Sequence, residues 1–530
     1  MTNVPSKRRH ETSPISRVHL RKRFGNTPEV LLLAMMACVG IFIHGYHLGS
    51  DDSEIYIPAI KKIADPQLFP FDSDFFMHHA SLSFFPDLIG NSARLTRLPI
   101  DWTIFLWHGL SVFFLLLAAR QLLRACFQST RAQWSGVALL TCVLTVPVAG
   151  TALVIMDPYL TARSLSTPAT LFAIASFATN NWKRGCVWLL FTALIHPQMS
   201  VYGAAFLGCL WLAQYFARPI TQPVRSPVLA SLAVIPFSFN FEPASGVYRE
   251  VLASRAYFSV LSWAWYEWIG VLAPLLLLWW FSRIRPAGTL PPFQRLSRSL
   301  CFFALVFTAA GLVLSASKHF DSLLRLQPMR SFHLIYVVFF LLLGGLIGDH
   351  ILRGRTWRWC CLFLPLGAAM WTVQAQAYPS CAHVEWPGAS YSSGWPAAFM
   401  WVRGHTPKNA IFALDPDYMA LAGDDQHGFR ALAERSALAD NLKDSGAVSL
   451  FPQLANLWKK QVSAEEGWRN FKLRDFRNLA AVYGVGWLVL QRSQAITGLV
   501  CPYQNDAVRV CRFDVAPTAK LIQPRHANSP

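Results

Sequence analysis

The chain has 530 residues, of which 53 % are hydrophobic and only 14 % charged, with a mean hydropathy of +0.33. About a quarter of an ordinary soluble enzyme is charged, so this composition belongs to a membrane protein. Its 11 cysteines lie mostly in apolar stretches without paired metal-ligand spacing, which excludes a zinc module and a disulfide-stapled secreted scaffold. The formal charge of +18 does not indicate a nucleic-acid partner, because the basic residues are divided among short loops and not gathered on one face.

A membrane-crossing helix needs about 20 mostly apolar residues. Eleven segments qualify as spans: 29–47, 101–119, 134–154, 167–179, 184–196, 198–217, 226–240, 266–282, 299–316, 329–347 and 356–373, the fourth, fifth and seventh being short. Residues 1–28 form a basic tail with seven Lys and Arg between Lys7 and Arg23, and no small-residue cleavage site follows the first span. The expectation is therefore a retained anchor with its N-terminus in the cytoplasm. Alternate loops support that orientation, with 21 basic residues on the inner side against ten on the outer. An odd number of spans puts the C-terminal region outside. The expected fold is mostly α: a polytopic bundle over 29–373, a long first external loop at 48–100, and a small extracytoplasmic α/β domain at 374–530.

The first external loop holds His47-Leu-Gly-Ser-Asp51-Asp52-Ser-Glu54-Ile-Tyr56. Two adjacent carboxylates repel each other, which suits one of them to act as general base, and the pair could equally hold a divalent cation. The competing reading is helix capping by Asp51, Asp52 or Ser53 ahead of the helix marked by Ile55, Ile57, Ile60 and Ile63. The Phe-rich stretch from Phe69 to Phe85, with Met77, His78 and His79, reads as an amphipathic helix in the headgroup layer.

Three further external segments carry polar groups. Asp157-Pro158 reads as a helix start, while Arg163 requires an anionic partner, either Asp157 or a phosphate. His196 lies where two apolar runs meet, as part of a substrate site or as a structural histidine. Arg325, Arg330 and His333 precede or open the tenth span. The last two are three residues apart, with Pro328 in the first turn, and positive groups at a helix start make an anion site; snorkelling to lipid headgroups is the alternative. Trp263, Trp265, Tyr266 and Trp268 form an aromatic belt in which Glu267 is the unusual member.

In the tail, helical spacing covers 395–403, and helices are expected at 427–436, 447–460 and 468–483, with strands at 411–414, 487–491 and 507–513. Cys501 and Cys511 lie on the outer, oxidising side and can close a loop of about eleven residues worth about 2–3 kcal/mol, free thiols being the other reading. Cys381 has no evident mate.

An acidic pair in the first loop, cationic groups in later outer loops and an outer C-terminal domain suggest a site that takes a phosphate-linked donor from the membrane. No Walker loop, haem motif or Ser-His-Asp arrangement competes with it. The sequence resembles the integral-membrane glycosyltransferases of the C-type fold, whose first external loop carries an acidic pair, matched here by Asp51-Asp52. Among them it is similar to a mannosyltransferase-like bacterial family in the segments from Asp157 to Arg163, His196-Pro197, Gln327 to His333, Thr406-Pro407, Arg435, Asp440 and Tyr483 to Leu490, over about residues 29–515. The resemblance implies a polyprenyl-phosphate sugar donor in the plasma (inner) membrane, transfer to a glycan, lipid or protein acceptor, and inversion at the anomeric carbon. It implies no certain cofactor. The Trp-Trp-Asp signature of oligosaccharyltransferases has no counterpart, which argues against protein N-glycosylation. A transporter or flippase of an anionic lipid or glycan and a non-catalytic envelope assembly protein are the alternative functions, although no internal repeat favours transport.

Overall fold

Apolar runs become helices because a helix satisfies its own backbone hydrogen bonds wherever water is absent. The computed structural model describes residues 27–216, 243–244, 246–391 and 394–513; the basic tail before Thr27 and the expected span at 226–240 lie outside them. The chain begins with α1 (Thr27–His44), α2 (Ser53–Ala64), α3 (Asp74–Ala80), α4 (Phe85–Thr96) and α5 (Ile100–Cys126). Next come α6 (Thr130–Cys142), α7 (Ala162–Ala178), α8 (Trp182–Ile195), α9 (Pro197–Phe216) and α10 (Gly246–Ala253). The bundle is completed by α11 (Trp265–Arg283), α12 (Pro291–Ala316), α13 (Asp321–Leu324), α14 (Phe332–Ile347) and α15 (Thr356–Ala377). Among the described residues, five helical segments are long and apolar enough to cross a membrane: 27–44, 100–126, 291–316, 318–352 and 356–377. These are the helices of a multi-pass membrane protein.

The expected third span is corrected. Its helix, α6, stops at Cys142, and 143–161 runs as irregular backbone closed by a bridge between Pro147 and Val154. Val148, Leu153 and Ile155 in that segment are buried in protein, so the apolarity reflects the bundle core and not lipid. Nearly every residue of α7 is also buried, between α5, α8 and α9.

Close approach of α6 and α14 depends on small residues. A Cβ on Gly344 would lie 2.7 Å from the Gly136 Cα, and one on Gly136 would lie 2.8 Å from the Leu341 carbonyl oxygen. Gly136→Val is therefore expected to cost about 1–3 kcal/mol through overpacking. A lower Tm in detergent is the readout, and an unchanged Tm would contradict the close packing.

The C-terminal region folds as α16 (Gly394–His405), α17 (Phe429–Ala433), α18 (Asp444–Leu450), α19 (Ala455–Ala464) and α20 (Leu473–Tyr483) around one sheet. Its strands are β1 (Ile411–Ala413), β2 (Ser436–Ala437), β3 (Trp487–Gln491), β4 (Leu499–Gln504) and β5 (Val508–Phe513), in the order β2-β1-β3-β5-β4. β1 is parallel to β2 and β3, whereas β5 is antiparallel to β3 and β4. Alternation along β3 sends Leu488 and Leu490 into a core with Phe476 and Leu479 of α20, and Val489 into a core with Trp395 and Phe399 of α16. The expected helix at 447–460 divides around Pro452 into α18 and α19, and the expected helix at 427–436 shortens to α17 because Ser436 and Ala437 join the sheet. Strand β4 was not anticipated. Cys501 and Cys511 form a disulfide between β4 and β5.

The core shared by Val489 and Trp395 extends to Tyr56, Ile57 and Ile60 of α2 and to Phe85 and Ile89 of α4. The first loop is thus packed onto the C-terminal sheet. Phe69, Phe75, Phe76 and Phe85 are almost wholly buried, which corrects their expected place in the headgroup layer; only the seven residues of α3 are helical within 69–84. In the aromatic belt, Trp265 and Tyr266 are exposed, but Trp263 is buried, and Glu267 accepts the Ala264 amide at 2.7 Å at the start of α11.

Candidate functional site

Leaving α1, the chain turns through Gly45, Gly49 and Asp51, all with positive φ. Only glycine, and less readily Asp or Asn, adopts that conformation without much strain. Asp51 is held in it by its amide, which donates to the Gln426 carbonyl at 2.8 Å. Asp52 stands at the start of α2 but caps nothing with its side chain. The capping reading is therefore set aside in favour of an ion-pair network.

In that network the Lys443 ammonium bridges the two carboxylates, contacting Asp51 and lying 3.1 Å from Asp52. The Tyr159 hydroxyl donates to Asp51 at 2.8 Å. From α7, Arg163 Nη2 reaches Asp157 at 2.8 and 3.0 Å and Asp52 at 3.3 Å. Asp157 is not the cap of that helix as expected: Thr161 is, with its amide bonded to Ser164 Oγ at 3.1 Å, while the Thr161 hydroxyl donates to Asp157 at 2.9 Å. Three carboxylates face Lys443 and Arg163, which leaves one formal negative charge while Lys443 is protonated, and burial draws that ammonium down to about 7. The Asp157 and Arg163 side chains are 5 % and 7 % exposed, whereas those of Asp51 and Asp52 are 35 % and 30 % exposed. Arg163 and Asp157 are thus the buried support, and the acidic pair is the accessible edge. The ammonium offsets the repulsion expected between the paired carboxylates and takes the bridging position that a divalent cation would need.

Beside this network lies a mainly apolar cavity of about 220 Å³. Tyr56, His79, His196, Gln198, Tyr202 and Arg325 supply its polar groups, and Ile195, Phe307 and Leu326 are among its apolar walls. Gln198 donates to the Tyr202 hydroxyl at 3.0 Å, and Tyr202 donates to the Leu326 carbonyl at 2.6 Å, which closes one wall. Arg325 is braced by Ser322 at 3.0 and 3.1 Å. Arg330 lies with its guanidinium carbon 5.1 Å from the centre of the Tyr257 ring, and its buried Nε has no hydrogen-bond partner among the described residues.

Charge links the cavity to the acidic network. Both Tyr56 and His79, on the cavity wall, feel the charges of Asp52, Arg163 and Arg330. Burial pushes the His79 imidazole down to about 4, Asp52 opposing this and the two arginines adding to it, so the ring is neutral at pH 7. His196, between α8 and α9, lies within reach of Arg163, His79, Arg330 and His333.

The expected site residues thus divide into groups. Asp51, Asp52, Asp157 and Arg163 form one network; His196 and Arg325 line the adjoining cavity, with Arg330 beside it. His333 is not on the lining: its Nε2 donates to the Ile155 carbonyl at 2.9 Å, bracing the irregular 143–161 segment. It does not share a helix with Arg330 either, because Pro328–Ser331 is a separate 3₁₀ turn ahead of α14. Lys443, Tyr56, Tyr159 and His79 were missed as site residues. Only their proximity in the fold marks them.

No family model matches the chain. No curated protein matches it either. Among solved structures it is similar to ArnT from Cupriavidus metallidurans, a structure with bound undecaprenyl phosphate, at 12 % identity over 92 % of this chain and 98 % of that one, with a TM-score of 0.26. An overlap of that quality transfers no residue role, so the chemistry of the site rests on its own geometry.

Proposed function

We propose that the protein is a membrane glycosyltransferase that moves a sugar from a polyprenyl-phosphate donor to an acceptor on the extracytoplasmic side of the plasma membrane. The observation that carries this reading is the union of an accessible, cation-braced acidic pair with an apolar cavity flanked by Arg325, Arg330 and His196. An isoprenoid phosphate has those two characters, an apolar chain and an anionic head. In the reaction the acceptor oxygen attacks the anomeric carbon from the face opposite the phosphate. The carbon–oxygen bond to the lipid phosphate breaks, that phosphate keeps the electron pair, and Asp52 takes the acceptor proton. Inversion follows from the single displacement. Arg330, whose Nε has no partner among the described residues, balances the charge that grows on the departing phosphate.

The direct test is transfer by purified protein in lipid, supplied with a panel of polyprenyl-phosphate sugars and a crude envelope acceptor. Under it, Arg330→Gln is expected to lower kcat/KM for the donor about 10–100-fold, the value of one charge-assisted hydrogen bond, with the loss mainly in kcat. An unchanged kcat/KM would remove Arg330 from the donor site. Movement of labelled lipid across the bilayer by the protein, surviving loss of both Asp51 and Asp52, would favour a flippase instead.

A further inference from the structure

A second polar cluster lies where the end of α1, the segment after α15 and the loop before α17 meet. Its side chains are Cys381, Glu385 and His427, whose possible ligand atoms all lie within 4.8 Å of one another. His427 Nδ1 is 2.6 Å from the Asp424 carbonyl. A carbonyl only accepts, so Nδ1 donates there, while Nε2 faces the Glu385 carboxylate at 3.0 and 3.1 Å and is the nitrogen a metal ion would take in place of its proton. Glu385 is itself oriented by His47 Nδ1 at 3.0 Å and by the Tyr391 hydroxyl at 2.8 Å. Such outer partners are what a metal site requires to hold its ligands in place.

An independent observation points the same way. Asp424 is fully buried, and neither of its carboxylate oxygens has a hydrogen-bond partner among the described residues. It lies close enough to Cys381 and His427 to couple electrostatically to both. A buried, unpartnered carboxylate beside a thiol, an imidazole and a second carboxylate is a place where a cation is favoured.

We propose that Cys381, Glu385 and His427 bind one zinc ion. A sulfur, a nitrogen and an oxygen suit zinc better than calcium or magnesium, which take oxygen ligands. Tetrahedral bond lengths of about 2.0–2.3 Å put ligands roughly 3.3–3.8 Å apart, so the set closes with side-chain movements of about 1 Å. Three protein ligands leave a fourth position for water. Zinc here ties the segment after α15 to the loop before α17, and that loop in turn holds the first loop, His427 bridging to Ser50 and the Gln426 carbonyl accepting the Asp51 amide. The ion thus secures the strained turn beneath the acidic pair without touching the cavity, and the proposal does not depend on the transferase reading.

The test uses the full chain purified in detergent. After desalting into zinc and then into zinc-free buffer, the wild type is expected to retain about one zinc per chain, and Cys381→Ser to retain at least tenfold less with the same Tm in the presence of a chelator. Cobalt(II) added to chelator-treated wild type should give a thiolate charge-transfer band that Cys381→Ser lacks. A third readout needs no variant: zinc should protect Cys381 from alkylation, scored by peptide mass spectrometry. Binding of neither metal, equal binding by Cys381→Ser, or alkylation unaffected by zinc would each overturn the site.

Discussion

Asp52→Asn is expected to lower the rate of sugar transfer by about 10²–10⁴-fold while leaving the protein folded, because it removes the acceptor's proton acceptor and little else. Asp52 makes no capping hydrogen bond to α2, so the helix does not depend on its charge. Its two cationic partners keep other anions, Lys443 retaining Asp51 and Arg163 retaining Asp157. An amide at position 52 is nearly isosteric and still accepts from Arg163. Loss of activity with an unchanged Tm and monodisperse elution is therefore the expected pair of results. Asp52 is singled out over Asp51 because its charge reaches Tyr56 and His79 on the cavity wall. Full transfer by well-folded Asp52→Asn would sink the proposed mechanism.

Arg430→Met is expected to be the most destabilising single change, by about 3–5 kcal/mol, the usual cost of stranding buried charges. Arg430 is 3 % exposed in α17. Its guanidinium meets Asp444 at 2.7 and 3.1 Å, Glu54 of α2 at 3.5 Å and Asp440 at 3.9 Å. Glu54 also accepts the backbone amides of Arg430 and Ala431 at 2.9 and 2.8 Å, so one ionic cluster ties the first loop to the C-terminal region. Methionine fills the volume of the stem and takes the cation from Asp444 and from Glu54 and Asp440, whose carboxyls burial already pushes up to about 8 and about 7. The expected readout is a large fall in Tm or loss of the folded peak on size exclusion, partly restored by adding Asp444→Asn, which removes one stranded charge. A Tm close to that of the wild type would mean the cluster is wet enough to do without its arginine.

The two changes separate chemistry from architecture. Asp52 sits at the accessible edge and Arg430 in the sealed joint below it, although both belong to the same contact between the residues after α1 and the C-terminal region. Rate falls in one variant and Tm in the other if that division is right.

How far the sequence reaches follows from the range of the forces involved. Runs of apolar residues identified α1, α8, α9, α11, α14 and α15 to within four residues at either end, because helix formation in an apolar setting is local and hydrogen bonds close four residues apart; α5 and α12 run seven and eight residues beyond the expected spans. Short apolar runs identified β3 and β5, and the acidic pair, Arg163 and His196 stand out by their cost at the edge of an apolar span. Apolarity alone does not tell lipid-facing from protein-facing residues, which is why 143–154 has the composition of a span and Phe69 to Phe85 that of a headgroup-layer helix although both pack inside the protein. Nor did local pattern indicate which cation would meet which anion. Lys443 is 392 residues from Asp51, a pairing that arises only when the first loop packs against the C-terminal sheet in one shared core, and His427 is 42 residues from Glu385 within that region. The sequence by itself determined that the chain is a membrane protein with an acidic first loop. Tertiary packing decided which charges neutralise each other, which cavity adjoins them and which buried groups are left without partners, since those depend on distances through space that no local pattern encodes.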